Sequence, residues 1–209
     1  MEDLLSLYEQ PYDPLCPVVC FDERPCQLID EVVSPIPMKP GKPQRRDYEY
    51  KRQGTCCVLL AFEPLSGWRF VQVRKRRTAV DYSHFMAALV KTRYPTVDRI
   101  RLVQDNLNTH TPGSFYTTFP PQEAFELGQK FELHYTPVKG SWLNMAEMEF
   151  AALAVQCLNR RIGNLETLTR EVRIWASKRN MARKTVRWRF TQSQARRKLE
   201  RKYQLVHQN

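Results

Sequence analysis

Runs of apolar residues predict five β-strands in this chain of 209 residues. The continuous apolar run from Thr55 to Phe62 is typical of a buried strand. Trp68 to Val73 alternates apolar and polar positions, so it should pair with the preceding strand as a hairpin across the turn at 63–67. The predicted strands cover residues 18–21, 55–62, 68–73, 100–104 and 131–134.

Helical spacing of apolar residues fills much of the remaining chain. From Ala146 onward, apolar side chains recur with the ~3.6-residue period of a helix, which predicts a long helix over 144–160. The predicted helices cover 2–8, 80–90, parts of 112–129, 144–160, 165–178 and 193–203. Strands interleaved with helices predict an α/β fold, in which a mixed sheet is flanked by helices and followed by a helical tail.

A proline-rich segment, residues 34–47, separates the first two predicted strands. Its four prolines exclude a regular helix or a central strand, so we expect an extended arm. The basic residues of this arm are Lys39, Lys42, Arg45 and Arg46.

The charge is distributed unevenly along the chain. Residues 151–209 contain 15 Lys and Arg but only three Asp and Glu, whereas residues 1–150 contain 18 basic and 19 acidic side chains. A polycationic tail favours a polyanionic partner, most often nucleic acid, although a solvated basic surface has the same composition. The candidate phosphate contacts in the tail are Arg183, Lys184, Arg187, Arg189, Arg196, Arg197 and Lys198.

Other classes of protein are disfavoured by the same composition. No apolar run approaches the ~20 residues of a membrane span, and the acidic N-terminus is unlike a secretory signal. We therefore expect a soluble cytoplasmic protein. The six cysteines form no CxxC pair, so we interpret them as reduced, mostly buried thiols, with a zinc site as the alternative.

Three acidic residues are placed where they can converge. Two predicted strands lead directly into Asp22 and Asp105, and ligands of open α/β sheets bind beyond the carboxyl ends of strands. The alternative is that each aspartate is an ordinary turn former. Glu147 would add a third carboxylate, because it lies about 60° from the centre of the apolar stripe of its helix, whereas Glu149, at about 100°, should point more to solvent.

Converging carboxylates repel one another and are stabilised by a hard cation. Mg²⁺ prefers oxygen ligands and is usually held by few carboxylates together with substrate phosphates. Two such ions can activate an attacking hydroxyl and stabilise the leaving oxygen. The acids therefore indicate phosphodiester chemistry on the nucleic acid that the basic tail favours.

The sequence blocks VVCFDE, LVQDNLNTH and TPVKGSWLNMAEMEF resemble the three signature blocks of DDE transposases. They are most similar to the mariner-like superfamily, in particular to bacterial insertion-sequence transposases, and the similarity extends to PMKPGKP, EPLSGW and RRTAVDY. The resemblance implies an RNase H-like fold, cleavage of transposon-end DNA and strand transfer into target DNA. Matching blocks assign the catalytic, metal-binding triad to Asp22, Asp105 and Glu147.

The resemblance also implies cofactors and partners. Two Mg²⁺ ions, for which Mn²⁺ can substitute, would bind the triad, and a homodimer would act on double-stranded DNA at the nucleoid. Mariner-like enzymes carry an excursion at the position of the arm that contacts DNA and the partner subunit, so its four basic residues become candidate backbone contacts. The residues expected to support the triad or touch DNA are Asn106, Asn108, His110, Trp142 and Asn144.

The sequence departs from the family pattern in two places. The family normally has N-terminal helix-turn-helix domains, which we expect to be missing or separately encoded, so that this would be a truncated enzyme. Arg24 replaces an expected small hydroxyl residue, and it would add a phosphate contact or crowd the metal site. The expected division is a lead-in (1–16), an RNase H-like catalytic domain (17–162) and a basic helical tail (163–209).

Two other functions are compatible with parts of this pattern. One is a non-catalytic DNA-binding remnant that regulates transposition. Such a remnant would not need its triad and should lose it through mutation, yet all three acids are present. The other is a stand-alone RNase H-like nuclease, against which the WLNMAE block argues.

Overall fold

The computed structural model describes residues 1–200 and has a mixed five-stranded sheet at its centre. The strands are β1 (Val18–Glu31), β2 (Tyr50–Glu63), β3 (Trp68–Arg74), β4 (Ile100–Gln104) and β5 (Phe131–Tyr135). Their order across the sheet is β3-β2-β1-β4-β5. The first three strands are antiparallel, whereas β4 is parallel to β1 and β5 is parallel to β4. The predicted mixed sheet is therefore confirmed.

Helices cover both faces of this sheet. They are α1 (Glu2–Glu9), α2 (Ala79–Arg93), α3 (Gly113–Tyr116), α4 (Pro121–Gln129), α5 (Ala146–Gln156), α6 (Leu165–Met181) and α7 (Gln192–Lys198). The helix predicted over 144–160 is shorter in the structure, because a 3₁₀ turn (Ser141–Leu143) precedes it and Cys157 leaves the helical conformation. No helix within residues 1–200 is long and apolar enough to cross a membrane.

Two separate cores lie on the two faces of the sheet. Cys20 and Phe62 belong to the core under α1, α5 and α6, whereas Phe21 and Phe85 belong to the core that also includes α3 and α4. Adjacent residues of β1 enter different cores because side chains alternate along a strand. β1 is thus buried on both faces up to the residue before Asp22.

The prediction that the first strand ends at Asp22 is wrong. β1 continues to Glu31, because β2 begins at Tyr50 and pairs with it along this whole extension, with one irregularity between Gln27 and Ile29. The extension carries few buried side chains, so its hydrophobicity does not mark it as a strand; the partner strand supplies the backbone hydrogen bonds.

The proline-rich arm folds back on itself between β1 and β2. Ile36 pairs with Arg45, and Lys39 pairs with Lys42, through backbone hydrogen bonds of 2.8–3.1 Å. Gly41 at the tip has a φ of +74°. The arm is thus a short hairpin whose side chains are mostly exposed.

Both ends of the described chain pack against the sheet. Leu4 and Leu5 of α1, Val172 of α6 and Ala195 of α7 are fully buried in one core. The predicted tail helix over 193–203 is represented by α7, and residues 201–203 lie outside the described residues. The division at residues 16 and 162 stays a prediction.

Candidate active site

The sheet places two of the three predicted acids side by side. β1 and β4 pair in parallel as far as Cys20 and Val103, and the same register continued along both chains brings Asp22 level with Asp105. β4 ends at Gln104, whereas β1 continues. The Asp105 side chain therefore lies at the carboxyl end of β4 beside the middle of β1, where an open sheet leaves room for a ligand.

Asn144 fixes the start of α5 next to the same point of β1. Its side chain is buried, donates from Nδ2 to the Phe21 carbonyl (2.8 Å) and accepts from the Ala146 amide (3.1 Å). The Tyr8 hydroxyl donates to the Leu143 carbonyl (2.8 Å) from the other side. The first turn of α5 is thus tied to the residue that precedes Asp22.

A cleft of about 280 Å³ opens between β1 and α5. Its lining residues are Asp22, Glu23, Arg24, Pro25, Glu147, Phe150 and Ala151. The Arg24 guanidinium donates to the Phe150 carbonyl across this cleft (3.3 Å). Arg24 therefore reaches the α5 backbone and lies on the wall of the cleft.

The electrostatics of Asp22 reflect burial among other acids. The pKa of Asp22 is raised to about 7: burial is the main cause, a hydrogen bond from the Glu23 amide (2.8 Å) opposes it, and the nearby charges of Glu147 and Asp105 add to it. The three predicted acids therefore interact through their charges. A carboxylate with these neighbours is stabilised by a bound cation.

Asp105 has the opposite environment because His110 is its partner. Asp105 Oδ1 lies 2.5 Å from His110 Nδ1, and this hydrogen bond lowers the pKa of Asp105. Burial alone would lower the pKa of His110, but its acidic neighbours Asp105 and Glu23 outweigh burial and raise it to about 9. At neutral pH the pair is therefore an aspartate held by an imidazolium.

His110 is itself held by contacts to its ring and to its carbonyl. Its ring stacks on Tyr82 with centroids 5.0 Å apart and meets the edge of Phe21, and its carbonyl accepts from Gln104 Nε2 (2.8 Å) and the Tyr135 hydroxyl (3.1 Å). This surrounding gives Asp105 a rigid support.

Glu23 and Arg77 form the outer side of this cluster. His110 Nε2 lies 3.7 Å from Glu23, too far for a hydrogen bond, and the Arg77 guanidinium lies 3.4 Å from the same carboxylate. Neither residue was predicted from the sequence to belong to the site. The adjacency of Glu23 to Asp22 was the available signal, but alternation along a strand points the two side chains to opposite faces.

The prediction that Glu149 points to solvent is wrong. Glu149 is 1% exposed and accepts from Arg69 Nε (2.6 Å) and Arg179 Nη2 (2.7 Å), and these two guanidinium groups lower its pKa against the effect of burial. Residues 146, 149, 150 and 153 form the buried stripe of α5. Helical geometry alone could not reveal the two arginines, which come from β3 and α6.

Glu147 occupies the exposed side of α5 and faces the cleft with Asp22. The sequence argument preferred Glu147 because it was expected to flank the buried face of the helix. In the structure the buried glutamate is Glu149, but Glu147 is the one whose charge acts on Asp22.

The acids fit divalent cations that are shared with a substrate. Within residues 1–200, no three His, Cys, Asp or Glu side chains lie close enough together to enclose an ion by themselves. Mg²⁺ is commonly held by one or two carboxylates, while water and substrate phosphates complete its coordination. Two pairs of acids could each supply two such carboxylates: Asp22 with Asp105, and Asp22 with Glu147.

The structure also shows the environment of the six cysteines. All six are free thiols, and Cys20, Cys56, Cys57 and Cys157 are buried, as the sequence predicts. The described part of the chain contains no group of cysteines and histidines that could hold zinc.

The other predicted contact residues differ in how far they are exposed. Asn106 and Asn108 are exposed, and Trp142 is 49% exposed. Arg196 forms two hydrogen bonds of 2.8 Å with Glu2 and thus ties α7 to α1. The exposed basic residues are Lys39, Lys42, Arg45 and Arg46 of the arm, together with Arg183, Lys184, Arg187, Arg189, Arg197 and Lys198.

Residues 17–169 match the family described as DDE superfamily endonuclease, and the chain belongs to this family. No functionally curated protein matches the sequence.

The fold is also similar to solved structures of the Mos1 mariner transposase. The paired-end complex with Mn has a TM-score of 0.57 at 18% identity, over 88% of this chain and 54% of that chain. The pre-cleavage Mos1 transpososome gives 0.56 at 16% identity (88% and 59%), and the Mos1 strand transfer complex gives 0.53 at 17% identity (84% and 51%). The chain thus spans about half the length of the Mos1 chains. The predicted DDE family resemblance and RNase H-like fold are confirmed.

Proposed function

We propose that this chain is the catalytic domain of a transposase, which cleaves transposon-end DNA and joins the freed end to target DNA. The observation that carries the proposal is the placement of the acids around Asp22: Asp105 follows the end of the neighbouring strand, Glu147 lines the same cleft, and both act on Asp22 through their charges. The family of the chain and the fold that it shares with Mos1 support the same assignment.

Asp22 is the central acid of the proposed site because the charges of both other acids act on it. With Asp105 it would hold one Mg²⁺ or Mn²⁺ ion, and with Glu147 a second. When bound between these carboxylates and a DNA phosphate, the two ions would activate the attacking oxygen and stabilise the leaving oxygen.

The remaining residues of the site orient the acids. His110 keeps Asp105 ionised and in one rotamer, and Asn144 holds the first turn of α5 so that Glu147 faces Asp22. A rigid first turn matters because displacement of a reacting group by about 1 Å can cost two orders of magnitude in rate.

The proposed chemistry consists of two displacements at phosphorus. The oxygen of water attacks the phosphodiester at the transposon end, the bond from phosphorus to the 3′ oxygen breaks, and a 3′-hydroxyl and a 5′-phosphate remain. That hydroxyl then attacks a target phosphodiester, forms a new phosphorus–oxygen bond and releases a target 3′-hydroxyl. One site serves both steps because both exchange one oxygen for another at phosphorus.

The exposed basic residues of the arm and of the segment after α6 are the proposed contacts to the DNA backbone. Phosphate contacts of this kind position a duplex without reading its sequence. We propose that the domain acts as a homodimer on two DNA ends, in the cytoplasm with the nucleoid, and that helix-turn-helix domains recognise the ends.

Nicking of supercoiled plasmid tests the proposed site. Wild-type protein should convert the plasmid to nicked circles only with Mg²⁺ or Mn²⁺, and Asp105→Asn and Glu147→Gln should abolish the reaction. Asp98→Asn is the matched control, because Asp98 is an exposed acid outside the cleft.

Each other outcome contradicts the proposal. Equal nicking by wild type and Asp105→Asn would place the activity at another site. Salt-dependent DNA binding by a wild-type protein that never nicks would instead support the non-catalytic remnant.

A further inference from the structure

Trp142 is a partly exposed aromatic residue in the turn that precedes α5, the helix that carries Glu147. Its indole packs against Trp188, with ring centroids 6.1 Å apart and planes inclined by 23°, and against Phe190 at 6.0 Å. The side chain is nevertheless 49% exposed. The indole is therefore backed by aromatic neighbours, while about half of its surface is open to solvent.

The supporting rings come from an extended basic segment, residues 183–190. Val186, Trp188 and Phe190 are half-buried against the body of the protein, and the Val186 amide donates to the Pro64 carbonyl (2.9 Å). Arg187 and Arg189 alternate with them and are exposed. Within residues 1–200, neither arginine has an acidic partner, so both are available to an anion from outside.

Trp142 is also linked through the backbone to the acidic cleft. It belongs to the 3₁₀ turn that ends at Leu143, and Asn144 follows with its hydrogen bond to the Phe21 carbonyl beside Asp22. A group stacked on Trp142 would thus lie on the chain segment that positions Glu147.

We propose that Trp142, backed by Trp188 and Phe190, is a stacking platform for an unpaired base of DNA, and that Arg187 and Arg189 bind the phosphates of the same strand. The inference rests on the proposed function in so far as that function brings DNA to the neighbouring cleft. An aromatic face flanked by cations is the common design of surfaces that bind single strands.

The chemistry of the surface favours an unpaired strand over a duplex. A base within a duplex has both faces covered by its neighbours, so an open indole can stack only on a base that has left the helix or has lost its partner strand. The guanidinium groups on either side of Trp188 match phosphates in geometry and charge.

Fluorescence titration with an oligothymidine of about 15 nucleotides tests the platform. Binding should quench the tryptophan emission of the wild type. Trp142→Ala should weaken oligothymidine binding about tenfold, which is the order of one lost base stack, and should leave affinity for a duplex of equal length unchanged. Trp142→Phe should retain most of the affinity, because a flat ring remains, but lose most of the quenching.

Phe125→Ala is the matched control, since Phe125 is another half-exposed aromatic residue, on α4. Thermal unfolding of each variant establishes that it is folded. Equal loss of affinity for oligothymidine and duplex, no loss in Trp142→Ala, or no binding of oligothymidine by the wild type would each overturn the proposal. These binding measurements do not depend on nicking. Failure of the proposed active site and failure of the proposed stacking platform can therefore be told apart.

Discussion

Two glutamates on α5 lie two residues apart and have opposite environments. Glu147 is exposed at the cleft with Asp22, whereas Glu149 is buried between Arg69 and Arg179. Arg69 is itself fully buried and also donates to the carbonyls of Gly67 and Lys184. One acid is thus available for chemistry, while the other joins β3, α5 and α6.

Glu149→Gln should destabilise the protein by roughly 3–5 kcal/mol, because it leaves a buried guanidinium without its counter-charge. Glu147→Gln is the control and should leave stability unchanged, since it removes only an exposed charge that repels Asp22. Urea unfolding of both variants measures the difference. A loss of stability equal in the two variants would contradict the assigned environments.

The same ion pairs predict a dependence on pH. The pKa of Glu149 is lowered in the folded state, so its contribution is fully present above the ordinary carboxyl value of about 4.3 and is lost as the pH falls through the folded pKa. The difference in unfolding free energy between wild type and Glu149→Gln should therefore shrink in acid. A difference that stays constant down to the lowest pH at which both proteins fold would contradict this.

His110→Gln tests whether the imidazolium supports Asp105. Loss of a partner that orients a metal-binding carboxylate typically lowers activity about 10–100-fold, so metal-dependent nicking should fall by that order while the protein stays folded. His84→Gln is the control, because His84 is exposed on α2 and contacts only the Phe119 ring in the described structure. Full activity in His110→Gln would show that Asp105 needs no such support.

At the scale of elements, the turn between β2 and β3 anchors the basic segment that follows α6. Gly67 has a φ of +69°, and a Cβ built there would lie 2.8 Å from the Arg183 carbonyl carbon. The Arg69 side chain holds the same segment through the Lys184 carbonyl. The β2–β3 turn is therefore packed against residues 183 and 184.

Gly67→Ala should destabilise the protein more than Gly41→Ala does. Both glycines have nearly the same positive φ, so both substitutions carry the ~1 kcal/mol cost of a left-handed residue, but no atom lies within 4 Å of a Cβ at Gly41. The excess destabilisation measures the contact with Arg183. Equal midpoints in thermal unfolding would show that the segment is not packed there.

The elements that could be predicted from sequence are those with a strong apolar pattern. The run at 55–62 and the helix at 165–178 correspond to β2 and α6, because burial on a sheet selects those side chains directly. The second half of β1 could not be predicted, since its polar residues are ordered by pairing with β2. The position of Glu149 was missed for a related reason: its partners Arg69 and Arg179 are distant in sequence.

Part of the candidate site was accessible by the same reasoning. Asp22 and Asp105 follow apolar runs in two neighbouring parallel strands, and sequence blocks added Glu147. The cluster of His110, Glu23 and Arg77 depends on three separate segments meeting in space, which no local pattern indicates beyond the histidine itself.

At the scale of the whole molecule, the basic residues of the C-terminal part of the chain differ in whether they form ion pairs within the protein. Arg160, Arg161, Arg179 and Arg196 are engaged by acids of the protein. The exposed arginines after α6, by contrast, face solvent. Ion pairs within the protein therefore engage part of the positive charge of the described tail, whereas residues such as Arg187 and Arg189 present theirs to solvent.

Replacing Arg187 and Arg189 by Gln should reduce the salt dependence of duplex binding. Each lost phosphate contact lowers the slope of log affinity against log salt by about 0.9, so the double variant should lose roughly twice that. Arg160→Gln is the control, because Arg160 is paired with Glu171. An unchanged slope in the double variant would move the DNA-binding surface elsewhere.

The most direct test of the central claim is to locate the metal itself. Fe²⁺ substituted for Mg²⁺, with ascorbate and peroxide, generates radicals that cleave the polypeptide next to the bound ion, and mass spectrometry of the fragments identifies the positions. We predict cleavage around Asp22, Asp105 and Glu147, suppressed by excess Mg²⁺ and absent in Asp22→Asn. Cleavage elsewhere, or an unchanged pattern in Asp22→Asn, would contradict the assignment of these three acids to one metal-dependent site.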